Sequence, residues 1–197
     1  MQRCSMWPTL VWIPVLQAWN PSILRTDHFC LGYSNCINIK NDGSLDFDDE
    51  ILKQLDVVIA SVHSGFKQPG ERITGRLIAA MKNPFVSIIG HPSGRLIGER
   101  EAYEIDMDTI LKTAADTGTT IEINAYPLRL DLNESNVRRA KSLRVSLVIS
   151  TDSHNRGQFD NMLYGVAVAR RGWLEKKDVL NTLECSRFLK KLQKKKG

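Results

Sequence analysis

The chain has 197 residues, 42% of them hydrophobic and 25% charged. That is an ordinary globular composition, which excludes a disordered or fibrous chain and suits one domain with a sizeable core. The formal net charge is +5, and "RFLKKLQKKKG" at 187–197 holds six of the 27 Lys and Arg; such a tail is either a solvated terminus or a salt-dependent attraction for a polyanion.

The opening "MQRCSMWPTLVWIPVLQAW" is apolar, but Pro8 and Pro14 interrupt it and no small-residue cleavage site follows. It is also too short to span a bilayer. Cys4, Cys30, Cys36 and Cys185 form no CxxC pair, so the spacing offers no disulfide framework and points to a reducing compartment. The expectation is a cytoplasmic protein with no membrane association. Residues 1–41 hold three of the four Trp, three of the four Cys and three of the seven Pro, without a sustained helical or strand period.

From Asp42 onward the pattern is regular. "NDGSLD" reads as a tight turn and "FDDEILKQL" as a short helix with acids in its first turn. "DVVIASVH" predicts a buried strand. "GERITGRLIAAMKN" predicts an amphipathic helix ending at Asn83-Pro84, with Ile73, Leu77, Ile78 and Met81 on one face. "FVSIIGH" is a second strand. "DMDTILKTAADTG" is a helix capped by Asp106 and stopped by Gly118. "TTIEINAY" is a third strand, followed by the helix "NESNVRRAKSL" with Asn133 or Ser135 as N-cap. "VSLVISTDSH" is a fourth strand. "NMLYGVAVARRGWL" and "KKDVLNTLECSRFLKKLQ" predict two closing helices. Strands alternating with helices predict parallel βα units.

Each predicted strand ends on a polar residue: His63, then His91, then Glu122 with Asn124, then Asp152 with His154. In a parallel α/β barrel the carboxyl ends of the strands share one face, where active sites lie. Alternation along a strand would project Asp152 and His154 the same way; the plainer reading of that pair is a loop cap beside a solvated imidazole. Imidazole and carboxylate together suit Zn²⁺, Mn²⁺ or Fe²⁺ and need no thiolate. Clustered ions of this kind clamp a phosphate and activate a water, which is phosphoester hydrolysis. Arg95 and Arg129 are candidates to hold a phosphate oxygen, with a surface ion pair to Glu99 as the other reading of Arg95.

The stretches "DGSLDFDDEIL", "LDVVIASVHSGF", "RLIAAMKNPFVSIIGHPSGRLIGERE", "EINAYPLRLDL", "STDSH" and "GVAVARRGWLEKKDVLNTL" occur in this order. They resemble the PHP (polymerase and histidinol phosphatase) family, most closely the PHP domain at the C-terminus of bacterial family X DNA polymerases. The resemblance implies an α/β fold, a distorted TIM-like (α/β)7 barrel with metal ions at the strands' carboxyl ends. It implies His63, His91, Asp152 and His154 as ligands of Mn, Zn, Fe or Mg, up to three ions in the family and fewer here. Asp152 and His154 are the implied catalytic pair, and Arg95 and Arg129 the substrate contacts. It implies a metal-dependent phosphoesterase, a 3′-5′ exonuclease or DNA-end processing enzyme whose partner is DNA, at 3′ ends or single strands. Two alternatives accompany it: a catalytically weak nucleic-acid-binding module, and a free-standing histidinol-phosphatase-like enzyme.

The sequence departs from the family pattern at its start. No His-x-His occurs, so the canonical first strands are missing or rebuilt. Asp27 and His28 echo a Thr-Asp-His segment at a different spacing, and Cys36 stands where the family has a metal-bridging glutamate. Residues 1–41 accordingly read as a divergent segment, 42–190 as the PHP domain and 191–197 as a basic tail.

Overall fold

Parallel pairing requires a crossover between consecutive strands, and the alternation from residue 42 supplies one each time. The computed structural model describes residues 34–193. Five strands, β1 (Ser34–Asn38), β2 (Val57–Ser61), β3 (Ile88–Ile89), β4 (Thr120–Asn124) and β5 (Leu147–Ser150), form one parallel sheet in the order β1-β2-β3-β4-β5. Sequential order without a switch point is the order of barrel-type βα units, not of a doubly wound sheet. The expected α/β layering is therefore present: a parallel sheet flanked by helices.

The helices are α1 (Asp49–Leu52), α2 (Gly70–Lys82), α3 (Met107–Thr117), α4 (Glu134–Ser142), α5 (Met162–Arg171) and α6 (Cys185–Gln193). Their ends follow the sequence signals. Asp106 accepts a hydrogen bond from the Thr109 N–H, and Gly118 closes α3 in the left-handed conformation that glycine adopts without penalty. Asn133, not Ser135, caps α4 by accepting from the Asn136 N–H. α2 stops at Lys82 because Asn83 must be extended before Pro84.

Strand alternation divides the core in two. Val58, Ala60, Ile89, Ile121, Ile123, Leu147 and Ile149 face a large cluster with α2, α3, α4 and α5. Val57, Ile59, Ile88 and Val148 face the other way and pack against Leu180, Phe188 and Leu192. So α6 plugs one end of the second face with apolar side chains, and the carboxyl end of that face is left to polar residues.

Two elements differ from the sequence reading. β1 lies in a stretch that showed no period, and it pairs with β2 from Ser34↔Val57 to Asn38↔Ser61. "KKDVLNTLECSRFLKKLQ" is not one helix. It breaks into 3₁₀ turns at Lys176–Asp178 and Leu180–Thr182 before α6. Between them Val179 is extended and bridges to Leu147. The Asn181 amide then accepts from the Ile149 N–H at 3.1 Å and donates to the Ile149 carbonyl at 2.7 Å. A side chain thus serves as the missing strand neighbour of β5. Among the described residues no helix is long and apolar enough to cross a membrane.

Candidate active site

The polar residues gather where the strands end. Alternation places Cys36 and Asn38 of β1, Ser61 of β2, Glu122 and Asn124 of β4 and Ser150 of β5 on the face opposite the large core. Cys36 Sγ lies 3.6 Å from Ser61 Oγ. Asn38 Oδ1 accepts from the His63 N–H at 3.0 Å, tying the loop after β2 to β1. Buried Arg76 of α2 reinforces this by donating to the carbonyls of Ile39 and Ser64. Gly90 follows β3, and a Cβ there would come within 2.4 Å of Ser61 Oγ. Glycine is what lets the β2 and β4 side chains approach each other at this point.

Glu122 is the centre of the cup. It is 5% exposed. Its carboxylate accepts from the His91 N–H at 2.6 Å, from Asn124 Nδ2 at 3.1 Å, and from the Ser150 hydroxyl. Burial, seconded by the nearby Asp152 charge, raises its pKa to about 7. Asn124 Nδ2 also donates to Asp152 Oδ2 at 3.2 Å. Burial pushes Asp152 up, but His91, Asn124 and Arg129 outweigh it, and the carboxylate stays ionised below its ordinary range.

His63 and His91 face one another with ring centroids 5.3 Å apart. Burial first, and Arg129 second, lowers both; His91 falls to about 3. Both imidazoles are therefore neutral at pH 7, the form that accepts a proton or a metal. His91 Nδ1 is buried without a hydrogen-bond partner.

Arg129 reaches into the same cup. Its Nε donates to Asp152 Oδ2 at 3.1 Å, with 16% of the Arg129 side chain and 28% of the Asp152 side chain exposed. Its Nη1 is buried without a partner. Arg95 stands behind it, donating to the backbone carbonyls of Arg129 and Leu130. Its guanidinium is thus occupied in holding the loop that carries Arg129. Buried Asp131, whose pKa burial raises to about 6, accepts from the Ser93 and Gly94 N–H groups at 2.9 and 3.0 Å. It joins that loop to the one following His91.

Of the residues expected from sequence, His63, His91, Asp152 and Arg129 come together. His154 does not join them. β5 ends at Ser150, Asp152 adopts φ 49°, and His154 is exposed with Nδ1 2.9 Å from the Asp152 carbonyl. The alternation that would align Asp152 with His154 holds only within a strand. Asp27 and His28 lie outside the described residues. Sequence reasoning passed over Ser61, Ser150 and Asp131. The signal for the two serines was available: each is the first small hydroxyl on the inward face after β-branched residues.

The donor set is chemically suited to a first-row divalent ion. Its placement is not: among the described residues no three of His, Cys, Asp and Glu converge as a group that could hold one. Asp152 is engaged by Arg129, and His154 faces solvent. As they stand, these residues do not fit the multi-ion centre that the resemblance implies.

No family model matches the chain. It is 50% identical over 145 residues to the DNA polymerase/3′-5′ exonuclease PolX of Bacillus subtilis, covering 74% of this chain and 25% of that protein. It is 34% identical over 176 residues to a probable phosphatase of Thermoanaerobacter sp. (strain X514), covering 82% of this chain and 68% of that protein. A probable phosphatase of Caldanaerobacter subterraneus is 35% identical over 134 residues, of which the match covers 50%. The chain thus spans a quarter of the first of these relatives, 68% of the second and half of the third.

Proposed function

The chain belongs to the PHP (polymerase and histidinol phosphatase) family, and from that premise we propose that it is a phosphoesterase acting on DNA ends, as a 3′-5′ exonuclease. The observation that carries this reading is the cup: two neutral imidazoles, one ionised carboxylate and one guanidinium at the carboxyl ends of parallel strands. Half-identity to a protein named as an exonuclease favours DNA as the substrate over a small phosphorylated metabolite.

In this reading Arg129 holds a non-bridging phosphate oxygen. Asp152 fixes the Arg129 fork, and His63, kept neutral by burial, is an acceptor for the proton of an attacking water. Arg95 acts at one remove by fixing the loop of Arg129. Phosphoesterases of this family are generally metal-dependent; among the described residues the side chains as placed do not enclose an ion.

The test is hydrolysis of a 5′-labelled single-stranded oligonucleotide, with and without Mn²⁺, beside a panel of phosphorylated metabolites. Shortening from the 3′ end is expected, and His63→Ala and Asp152→Ala should each lower the rate by about a hundredfold or more. Undiminished cleavage in both variants would remove the cup from the chemistry. A second reading, a nucleic-acid-binding module without turnover, is favoured by the failure of three donors to converge among the described residues. Salt-sensitive DNA affinity with no cleavage under any of these conditions would establish it.

A further inference from the structure

We propose that Ile97 and Leu128 form an apolar ledge at the edge of the cup that seats a nucleobase of the DNA end. The identity of the substrate rests on the phosphoesterase reading; the ledge adds which part of that substrate it meets.

The loops after β3 and β4 each carry a large apolar side chain out into solvent. Ile97 is 47% exposed and Leu128 38%. The Ile97 N–H donates to the Leu128 carbonyl at 2.6 Å, so the two loops are joined at these residues. A single exposed apolar side chain is ordinary, but two tied side by side make a surface. That surface borders the cup. Leu128 directly precedes Arg129, with Cα atoms about 3.8 Å apart, and Arg129 Nε reaches Asp152 at 3.1 Å.

The ledge is held in place. Leu96 and Arg100 exchange backbone hydrogen bonds at 2.8 Å, and Gly98 turns the chain between them at φ 82°. Ile97 thus sits on a closed hairpin tip. Behind it Arg95 donates to the carbonyls of Arg129 and Leu130. Arg100 donates to the Gly94 carbonyl at 2.8 and 3.0 Å, and its guanidinium lies 4.0 Å above the Phe66 ring. Side chains already fixed in this way lose little freedom when a ligand packs on them.

Size selects the occupant. A stable protein partner needs about 800 Å² on each side, far more than two half-exposed side chains offer, whereas one face of a single base matches them. A base is also what lies one sugar away from a phosphate held at Arg129. The contact reads no base edge: the Ile97 N–H and the Leu128 carbonyl are paired with each other, and the side chains have no polar atoms. The ledge therefore accepts any of the four bases and gains nothing from a phosphorylated metabolite without a ring.

The experiment measures the affinity of the full 197-residue chain for a 5′-fluorescent single strand by anisotropy in Mn²⁺, with phosphorothioates at the 3′ end to block cleavage. A second strand is identical except that its last two residues are abasic. The intact strand should bind about five- to tenfold tighter, as the apolar area covered by two such side chains implies, whichever base ends it. The double variant Ile97→Ser/Leu128→Ser should lose that preference and bind the abasic strand as the wild type does, with each single serine variant losing part of it. Ile97→Leu/Leu128→Met should keep it. Circular dichroism melts confirm that the variants fold.

Equal affinity of the wild type for the two strands, no binding of either, or an undiminished preference in the serine variants would overturn the proposal. Hydrolysis of the unblocked strands on the same preparations keeps the two ideas apart. Cleavage with equal affinity for both strands sinks the ledge and leaves the phosphoesterase. A base preference without any cleavage does the reverse.

Discussion

Burial of Glu122 predicts a stability that declines with pH, and Glu122→Gln should remove most of the slope. The carboxyl titrates near 4.5 when unfolded and near 7 when folded. A raised acid pKa means that the folded chain holds a proton that the unfolded chain has released. The contribution is therefore fully present below pH 4.5 and lost as pH rises through 7. The gap of about 2.5 pKa units corresponds to about 3 kcal/mol, most of it lost between pH 5 and pH 8. In a domain of this size that amounts to roughly 5–10 °C in melting temperature. Asp131, raised to about 6, adds a decline of the same sign over a lower window. Asp152, held below its ordinary value, gains its contribution below the window measured. Gln at 122 keeps an oxygen for the His91 N–H and Asn124, and its amide can donate to the Ser150 hydroxyl. The variant should fold, with its stability near that of the wild type at pH 5 and higher at pH 8. The assay is thermal unfolding in EDTA at half-unit steps from pH 5 to pH 8. Parallel curves for the two proteins would refute the assignment of the slope to Glu122.

Gly94 and Asn181 give two further tests of the scaffold. Gly94 has φ 62°, and a Cβ there would fall 1.9–2.2 Å from ring atoms of Tyr103. Gly94→Ala should cost about 3 kcal/mol or more in denaturant unfolding, and a loss under 1 kcal/mol would show that the ring yields freely. Asn181→Ala strands the N–H and carbonyl of Ile149 at the edge of β5, a cost of about 2–4 kcal/mol. Faster amide exchange at Ile149 should accompany it, and unchanged protection there would contradict the account of Asn181 as a surrogate strand.

The helices and inner strands were legible because their signals are local. Asp106 and Gly118 bound α3 chemically, and the Val, Ile and Ala of β2 are buried on both faces as a parallel sheet requires. β1 was not legible. Ser34, Asn35, Cys36 and Asn38 leave it one apolar side chain, so its strand character comes from pairing with β2 and not from its own pattern. The split before α6 was hidden for a related reason. "KKDVLNTLEC" has helical composition, and its extended residue, Val179, is fixed by β5, a partner some 30 residues earlier.

The candidate site shows the same division between local and distant causes. His63, His91 and Asp152 could be read from where apolar runs stop, because a parallel sheet sends every carboxyl end to one rim. What those residues do there depends on contacts that no run reveals. His154 is two residues from Asp152 yet outside the cup, because the ladder ends at Ser150 and the alternation ends with it. Arg95 and Arg129 looked equivalent in sequence, each an arginine just past a strand. One is occupied with backbone carbonyls and the other meets a carboxylate with a nitrogen left over. The difference follows from Arg95 lying behind the loop that Arg129 rides on. The arginine with an unmet hydrogen bond is the one positioned to act on a ligand, and its neighbour sets where that bond points.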